Sequence, residues 1–199
     1  TDLIKDLVAT GNEVTAGARH PEKVIKLNHV TAVELNLHDS VEKIAELMKD
    51  MDAVYFVAGS RGKDLLQTDA MGAVKTMQAA EKDGIKRYIM LSSLYALQPE
   101  MWPKVPSLAS IMDYNIAKFF ADNYLISNTN LDYTILQPAN LTEEPGTGKI
   151  QIGEGSATSN PIPDVAQTLA DILQHDNTIG HVIMMRSGDT PIEEALDQI

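Results

Sequence analysis

The chain has 199 residues, a hydrophobic share of 44% and a formal net charge of −12, with no cysteine. Such a length fits one domain or at most two small ones, and the missing thiols exclude disulfides, thiolate metal sites and a cysteine nucleophile. Lys and Arg are outnumbered 16 to 28 by Asp and Glu, which speaks against a nucleic-acid partner. No apolar run approaches the roughly 20 residues that cross a bilayer, and Asp2, Lys5 and Asp6 interrupt any signal-like start, so the expectation is a cytoplasmic protein without a membrane partner.

Along the chain, helical and extended patterns alternate. Leu3, Ile4, Leu7 and Val8 stand at helical spacing, and Gly11 follows as a stop. Residues 13–18 read as a short buried strand, Pro21 as the opening of a short helix, and residues 30–35 as the next strand. Ser40 is placed to cap a helix carrying Val41, Ile44, Leu47 and Met48. Residues 53–57 form a continuous apolar strand ended by Ala58, Gly59 and Ser60. A longer helix follows, with Leu66, Ala70, Val74, Met77 and Ala80 on one face and Gly84 closing it.

Residues 87–91 make another strand, ending in Ser92 and Ser93. The stretch 97–106 holds three prolines and Trp102, so it reads as a loop. A helix over 113–128 puts Ile116, Phe119, Phe120 and Leu125 at core spacing. Residues 133–136 form a strand stopped by Pro138, and a glycine-rich connection spans 146–155. The remaining pattern is a helix over 165–173, a strand over 181–185 and a final helix from Ile192. Strands of this length separated by helices imply crossover units: an α/β, doubly wound, mainly parallel sheet with helices on both faces, as a single domain over residues 1–199. In such sheets ligands bind beyond the carboxyl ends of the strands. The residues to examine therefore follow each strand: Arg19, Asn36 with Leu37, 58–60, 92–95 and 138–141.

Tyr114 and Lys118 are the sharpest chemical pair. Four residues apart in one helix, they share a face. An ammonium beside a phenol favours the phenolate, which suits the pair to moving a proton to or from a carbonyl or alcohol oxygen. A serine hydroxyl at a strand end, Ser93 or Ser92, can hold the same oxygen. The same spacing also occurs on ordinary solvated helices, so position in the chain matters: the pair follows a Ser-Ser strand end and precedes a strand ending Gln137-Pro138. The five histidines form no close pair, and no metal site is expected.

Five motifs in this order carry a resemblance. They are 17–21 (Gly-Ala-Arg-His-Pro), 57–60 (Val-Ala-Gly-Ser), 86–93 (Lys-Arg-Tyr-Ile-Met-Leu-Ser-Ser), 114–118 (Tyr-Asn-Ile-Ala-Lys) and 131–138 (Leu-Asp-Tyr-Thr-Ile-Leu-Gln-Pro). Over nearly its whole length the chain resembles the short-chain dehydrogenase/reductase superfamily in its atypical, NAD(P)H-binding, epimerase/dehydratase-like branch. The resemblance implies a Rossmann-like fold, a nicotinamide cofactor, and hydride transfer to or from a small molecule. It implies Tyr114 as proton donor and acceptor, Lys118 as the residue that lowers its pKa and holds the nicotinamide ribose, and Ser93 as the group orienting the substrate oxygen. Asn36, Leu37, Ala58, Gly59 and Ser60 would lie along the cofactor, with Pro138 and Ala139 flanking the nicotinamide. Gln137-Pro138-Ala139-Asn140 stands where Arg-Pro-Gly is more usual.

The chain opens within what reads as the first helix of such a fold, so a strand and glycine loop of roughly 15–20 residues are expected ahead of it. Arg19 ends the second strand, where an acidic residue would bind the 2′-hydroxyl of NAD; a guanidinium there suits the 2′-phosphate of NADP, with NAD as the alternative. The expectation is an NADP-dependent oxidoreductase acting on a small carbonyl, quinone or flavin-like substrate, as a monomer or homodimer. A non-catalytic NADP-sensing regulator or scaffold is the second reading. A nucleotide-sugar epimerase or dehydratase ranks third, because only about 60 residues follow Pro138 and a second domain needs more.

Overall fold

The structure is a computed structural model that describes residues 1–156 and 158–199. In chain order the elements are α1 (Asp2–Ala9), β1 (Val14–Ala18), β2 (Val30–Glu34), α2 (Val41–Glu46), β3 (Ala53–Phe56), α3 (Met71–Lys82) and β4 (Arg87–Leu91). They continue with α4 (Pro106–Ala109), α5 (Met112–Asn128), β5 (Asp132–Pro138), β6 (Asn140–Thr142), β7 (Lys149–Ile152), β8 (Ser159–Pro161), α6 (Ile162–Ile172), β9 (His181–Ser187), β10 (Thr190–Pro191) and α7 (Ile192–Asp197). The main sheet has six strands in the order β10-β7-β9-β5-β4-β3. Its β3-β4-β5-β9 centre is parallel, while β7 and β10 run antiparallel at one edge. β1 and β2 form a separate parallel pair, and β6 and β8 another.

Side-chain alternation on the central strands divides the core into two layers. Val54, Phe56, Tyr88, Met90 and Ile135 face α3 and α5, meeting Met77 and Leu125. Ile89, Leu136, Ile183 and Met185 face the other way, onto Leu169 and Ile172 of α6 and Ile192 and Leu196 of α7. Consecutive residues thus serve opposite faces, which is why buried parallel strands read as unbroken apolar runs. Ser40 caps α2 as expected, its side chain accepting from the Lys43 amide.

Three readings of the sequence are corrected. Glycine-rich residues 146–155 contain a strand, β7, in which Lys149-Ile150-Gln151-Ile152 alternates and sends Ile150 into the core. The proline-rich stretch is a 3-10 turn over Pro99–Lys104 leading into α4, each opening on a proline, where a missing N–H costs nothing. In α5, Ile116 and Phe120 face outward, Phe120 at 62% exposure. The buried face belongs instead to Asn115, Ala117, Lys118, Ala121, Asp122 and Leu125. Polar residues have taken part of the face that apolar periodicity would assign to the core.

Candidate active site

The carboxyl ends of β4 and β5 and the N-terminal half of α5 converge on a buried polar centre. Helical geometry stacks Tyr114, Lys118 and Asp122 at four-residue steps on one face of α5. Lys118 is almost wholly buried. Its Nζ donates to the Leu91 carbonyl at 3.0 Å and lies 5.6 Å from the centroid of the Tyr114 ring. Asp122 has no exposed surface. Its Oδ2 accepts from Ser92 Oγ at 2.8 Å and from Gln137 Nε2 at 2.9 Å, so one carboxylate oxygen ties α5 to the ends of both strands. The other oxygen, Oδ1, is buried without a hydrogen bond.

Burial dominates the charges here. It pushes the Asp122 carboxyl up to about 6, against the pull of its bonds to Ser92 and Gln137 and of the Lys118 charge. It pushes the Lys118 amine down, while Asp122 and Asp69 favour the ammonium. The Tyr114 phenol is pushed up to about 12, first by burial and then by the negative charges of Asp69 and Asp122. The expected lowering of the tyrosine by Lys118 is therefore not what this geometry produces: the amine is aimed at the Leu91 carbonyl and two carboxylates surround the phenol. Tyr114 stays protonated at neutral pH.

A second group of polar atoms follows β3. Gly59 is exposed, and a Cβ there would meet only Asp69 Oδ1, at 3.5 Å. The Ser60 amide donates to Asp69 Oδ2 at 3.0 Å, while Ser60 Oγ and Asp69 Oδ1 are buried without partners. Arg61 and Gly62 then turn the chain with φ of 54° and 79°. Asp69 stands on a π-helical turn, Leu65–Ala70, a local widening often found at functional sites. Ala58 lies half-buried against the core.

Towards β1 and β2 the surface opens. Arg19 is exposed, and its charge, with hydrogen bonds from Thr68 and His38, holds Asp64 below the usual carboxylate range, the Thr68 bond contributing most. His38 Nε2 lies 2.6 Å from Asp64 Oδ2. Asn36 is exposed and its Oδ1 accepts from the His38 amide. Leu37 is buried in the core under Gly72, so only its backbone can face a ligand.

On the other side, Pro138 and Ala139 are buried. The Pro138 carbonyl accepts from the Leu94 amide, and the Ala139 amide donates to Asn160 Oδ1 at 2.9 Å and to the Met185 carbonyl at 3.0 Å. Ser93 is half-buried just beyond β4, next to the buried Ser92 whose hydroxyl is taken by Asp122. Above it, Tyr95 has a φ of 57°. Its carbonyl accepts from Trp102 Nε1, its hydroxyl donates to Glu154, and Arg186 Nη2 donates to that hydroxyl at 2.9 Å. Trp102 is buried against Phe119, its rings edge-to-face. The structure thus brings Tyr114 and Lys118 together around the β4 and β5 ends and puts Arg19 and Asn36 on a separate, exposed stretch. Sequence reasoning missed Asp69, Asp122, Gln137 and Asn160; the one available signal was the continued four-residue step from Lys118 to Asp122. No group of three or more His, Asp or Glu among the described residues could hold a metal ion.

A doubly wound sheet with a polar centre at its strand ends defines a Rossmann-type nucleotide-binding protein. A family model described as NAD(P)H-binding matches residues 1–176, and the chain belongs to that family. Similar proteins include an uncharacterized sugar epimerase of Bacillus subtilis, 38% identical over 84% of this chain and 78% of that protein. The crystal structure of an oxidoreductase from Lactococcus lactis superposes with a TM-score of 0.96 at 47% identity, covering 100% of this chain and 90% of that one. A short-chain dehydrogenase/reductase of Veillonella parvula, in complex with NADP, shares the fold with a TM-score of 0.72 at 18% identity, over 94% of this chain and 91% of that one. The chain is a member of an NAD(P)-binding, oxidoreductase- and epimerase-like family with a Rossmann fold.

Proposed function

We propose that the protein transfers a hydride between NADP(H) and a small carbonyl, quinone or flavin-like compound, with Tyr114 as the proton donor. The observation that carries this reading is the placement of a protonated, largely buried Tyr114 beside the buried Lys118 at the ends of β4 and β5. The residues present suit a dinucleotide. Ser60 Oγ and Asp69 Oδ1 are buried polar atoms without protein partners beside a glycine open to close approach, and ribose hydroxyls can satisfy both. Arg19 would face a 2′-phosphate, near Asn36, and Pro138 and Ala139 would form the wall at the nicotinamide.

When bound, the reduced cofactor supplies the hydride. The protein's own part is to hold and protonate the substrate oxygen. Ser93 Oγ orients that oxygen by a hydrogen bond, and the Tyr114 hydroxyl donates its proton to it as charge develops. A phenol that ionises near 12 is fully protonated at neutral pH, which favours the reductive direction. Lys118 would hold a ribose hydroxyl and offset the phenolate left behind. Buried surroundings keep these interactions strong by excluding water. The test is a spectrophotometric screen of aldehydes, ketones, quinones and oxidised flavins with NADPH, on the wild type and Tyr114→Phe. Turnover that falls at least 100-fold in the variant supports the reading; unchanged turnover overturns the role of Tyr114.

A second reading, NADP(H) sensing without chemistry, draws on the bond between Lys118 Nζ and the Leu91 carbonyl, which commits the amine to a backbone oxygen rather than to the phenolic one. NADPH binding with no turnover on any compound of the panel would favour it.

A further inference from the structure

We propose that Asp122 is a positioning residue of this site: its ionised carboxylate, buried on the same face of α5, keeps the Lys118 ammonium charged where it meets the Leu91 carbonyl and the Tyr114 ring. The inference rests on the oxidoreductase reading for its purpose, but its geometry stands apart from it. A lysine amine has three donors, and Lys118 spends one on the Leu91 carbonyl. Wholly buried, such an amine would lose its proton unless opposite charge lay close. The charged and titratable groups facing it are Asp122 and Tyr114 on its own helix and Asp69 on the π-helical turn packed against that helix. The flanking strands contribute neutral groups only, Ser92 from β4 and Gln137 from β5.

Between the two carboxylates, Asp122 has the fixed geometry. Its Oδ2 is pinned by Ser92 and Gln137, so the side chain cannot turn away, and its Oδ1 is left without a partner four residues along the helix from Lys118. Asp69 is instead engaged by the Ser60 amide and sits against Gly59, which points it towards the ribose and pyrophosphate path. The two acids therefore divide the work. Asp69 serves the cofactor and Asp122 serves the lysine. When Asp122 takes up a proton, near pH 6, Lys118 loses the larger of the two negative charges that favour its ammonium, and that preference weakens.

The test follows Lys118 directly, by carbon-13 NMR of lysine Cε in the cofactor-free protein, with the resonance assigned by Lys118→Arg. In the wild type the Lys118 signal should show an inflection near pH 6, where Asp122 titrates. In Asp122→Asn, whose side-chain carbonyl can still accept from Ser92 and Gln137, the inflection should vanish and the midpoint of Lys118 should fall by at least one pH unit. Asp122→Glu should restore it in part. NADPH affinity, measured by calorimetry, should weaken about 10-fold in Asp122→Asn. A Lys118 midpoint unchanged in the variant, or a wild-type signal flat through pH 6, would overturn the proposal. The wild-type inflection needs no Asp122 variant, so a poorly folded substitution at that position leaves the test intact. Failure of the oxidoreductase reading would show separately, as absent turnover with the Lys118 coupling still present.

Discussion

The two halves of the ligand-facing edge are built on opposite principles. Beyond β1 and β2, Arg19, Asn36, His38 and Asp64 lie in or near solvent; His38 contacts Asn36 and Asp64 directly, and the charge of Arg19 acts on Asp64 where water and salt can screen it. Beyond β4 and β5, Lys118, Asp122, Ser92 and Gln137 are buried, and each bond there replaces one with water. The exposed half can discriminate between ligands at little cost to the fold. The buried half commits folding energy to a particular arrangement of charge, so a substitution there disturbs both chemistry and stability.

That contrast orders the expected effects. The largest is Tyr114→Phe, which should reduce the reductive turnover number by 10²–10⁴ while leaving NADPH affinity nearly unchanged; parallel steady-state and calorimetric measurements check it. Next is Asp122. Its carboxyl rises from an ordinary 3.8 to about 6 in the folded protein, so the native state holds more protons than the unfolded state between those values. Stability due to this group is then highest at low pH and is lost as pH rises from about 4 to about 6. The stability of Asp122→Asn relative to wild type should climb over that window, by on the order of 3 kcal/mol, and stay level above it. Urea unfolding at pH 4.5, 5.5 and 7.5 measures this, and a constant difference would break the picture of a buried, destabilised carboxylate.

Smaller effects separate the neighbouring serines. Ser92→Ala removes a hydrogen bond to a buried carboxylate and should cost about 1–3 kcal/mol of stability. Ser93→Ala should leave the melting temperature within a degree or two and instead lower kcat/KM about 10-fold, as expected for a group that touches the substrate. Equal behaviour of the two variants would erase the distinction between the buried Ser92 and the half-buried Ser93. The smallest change belongs to the exposed half. Arg19→Ala should weaken NADPH binding about 10-fold at low salt, leave NADH binding unchanged, and matter less as salt is raised.

How much of this was legible in the sequence follows the same division. The central strands β3, β4 and β5 and the helices between them read directly, because strands covered on both faces must be apolar throughout. Tyr114 and Lys118 read as a pair because helical spacing alone puts them on one face. The buried acids did not. Asp69 and Asp122 look like ordinary charged residues of amphipathic helices, and only the fold shows that their helix faces point inward. For the same reason Ile116 and Phe120 were misjudged: their spacing matches a core stripe, yet the polar residues Asn115, Lys118 and Asp122 of α5 occupy the buried side. β7 was hidden by flanking glycines, although its own four residues alternate.

The most direct test of the account is a calorimetric titration of the protein with NADPH and with NADH, at low and at high salt. The account predicts that NADPH binds about 10-fold more tightly at low salt, with the gap narrowing as salt rises, because the preference is set by the exposed half and screened by ions. Equal affinities at every salt concentration would remove Arg19 from the site, and no binding of either nucleotide would contradict the assignment of these strand ends as the place where the dinucleotide is held.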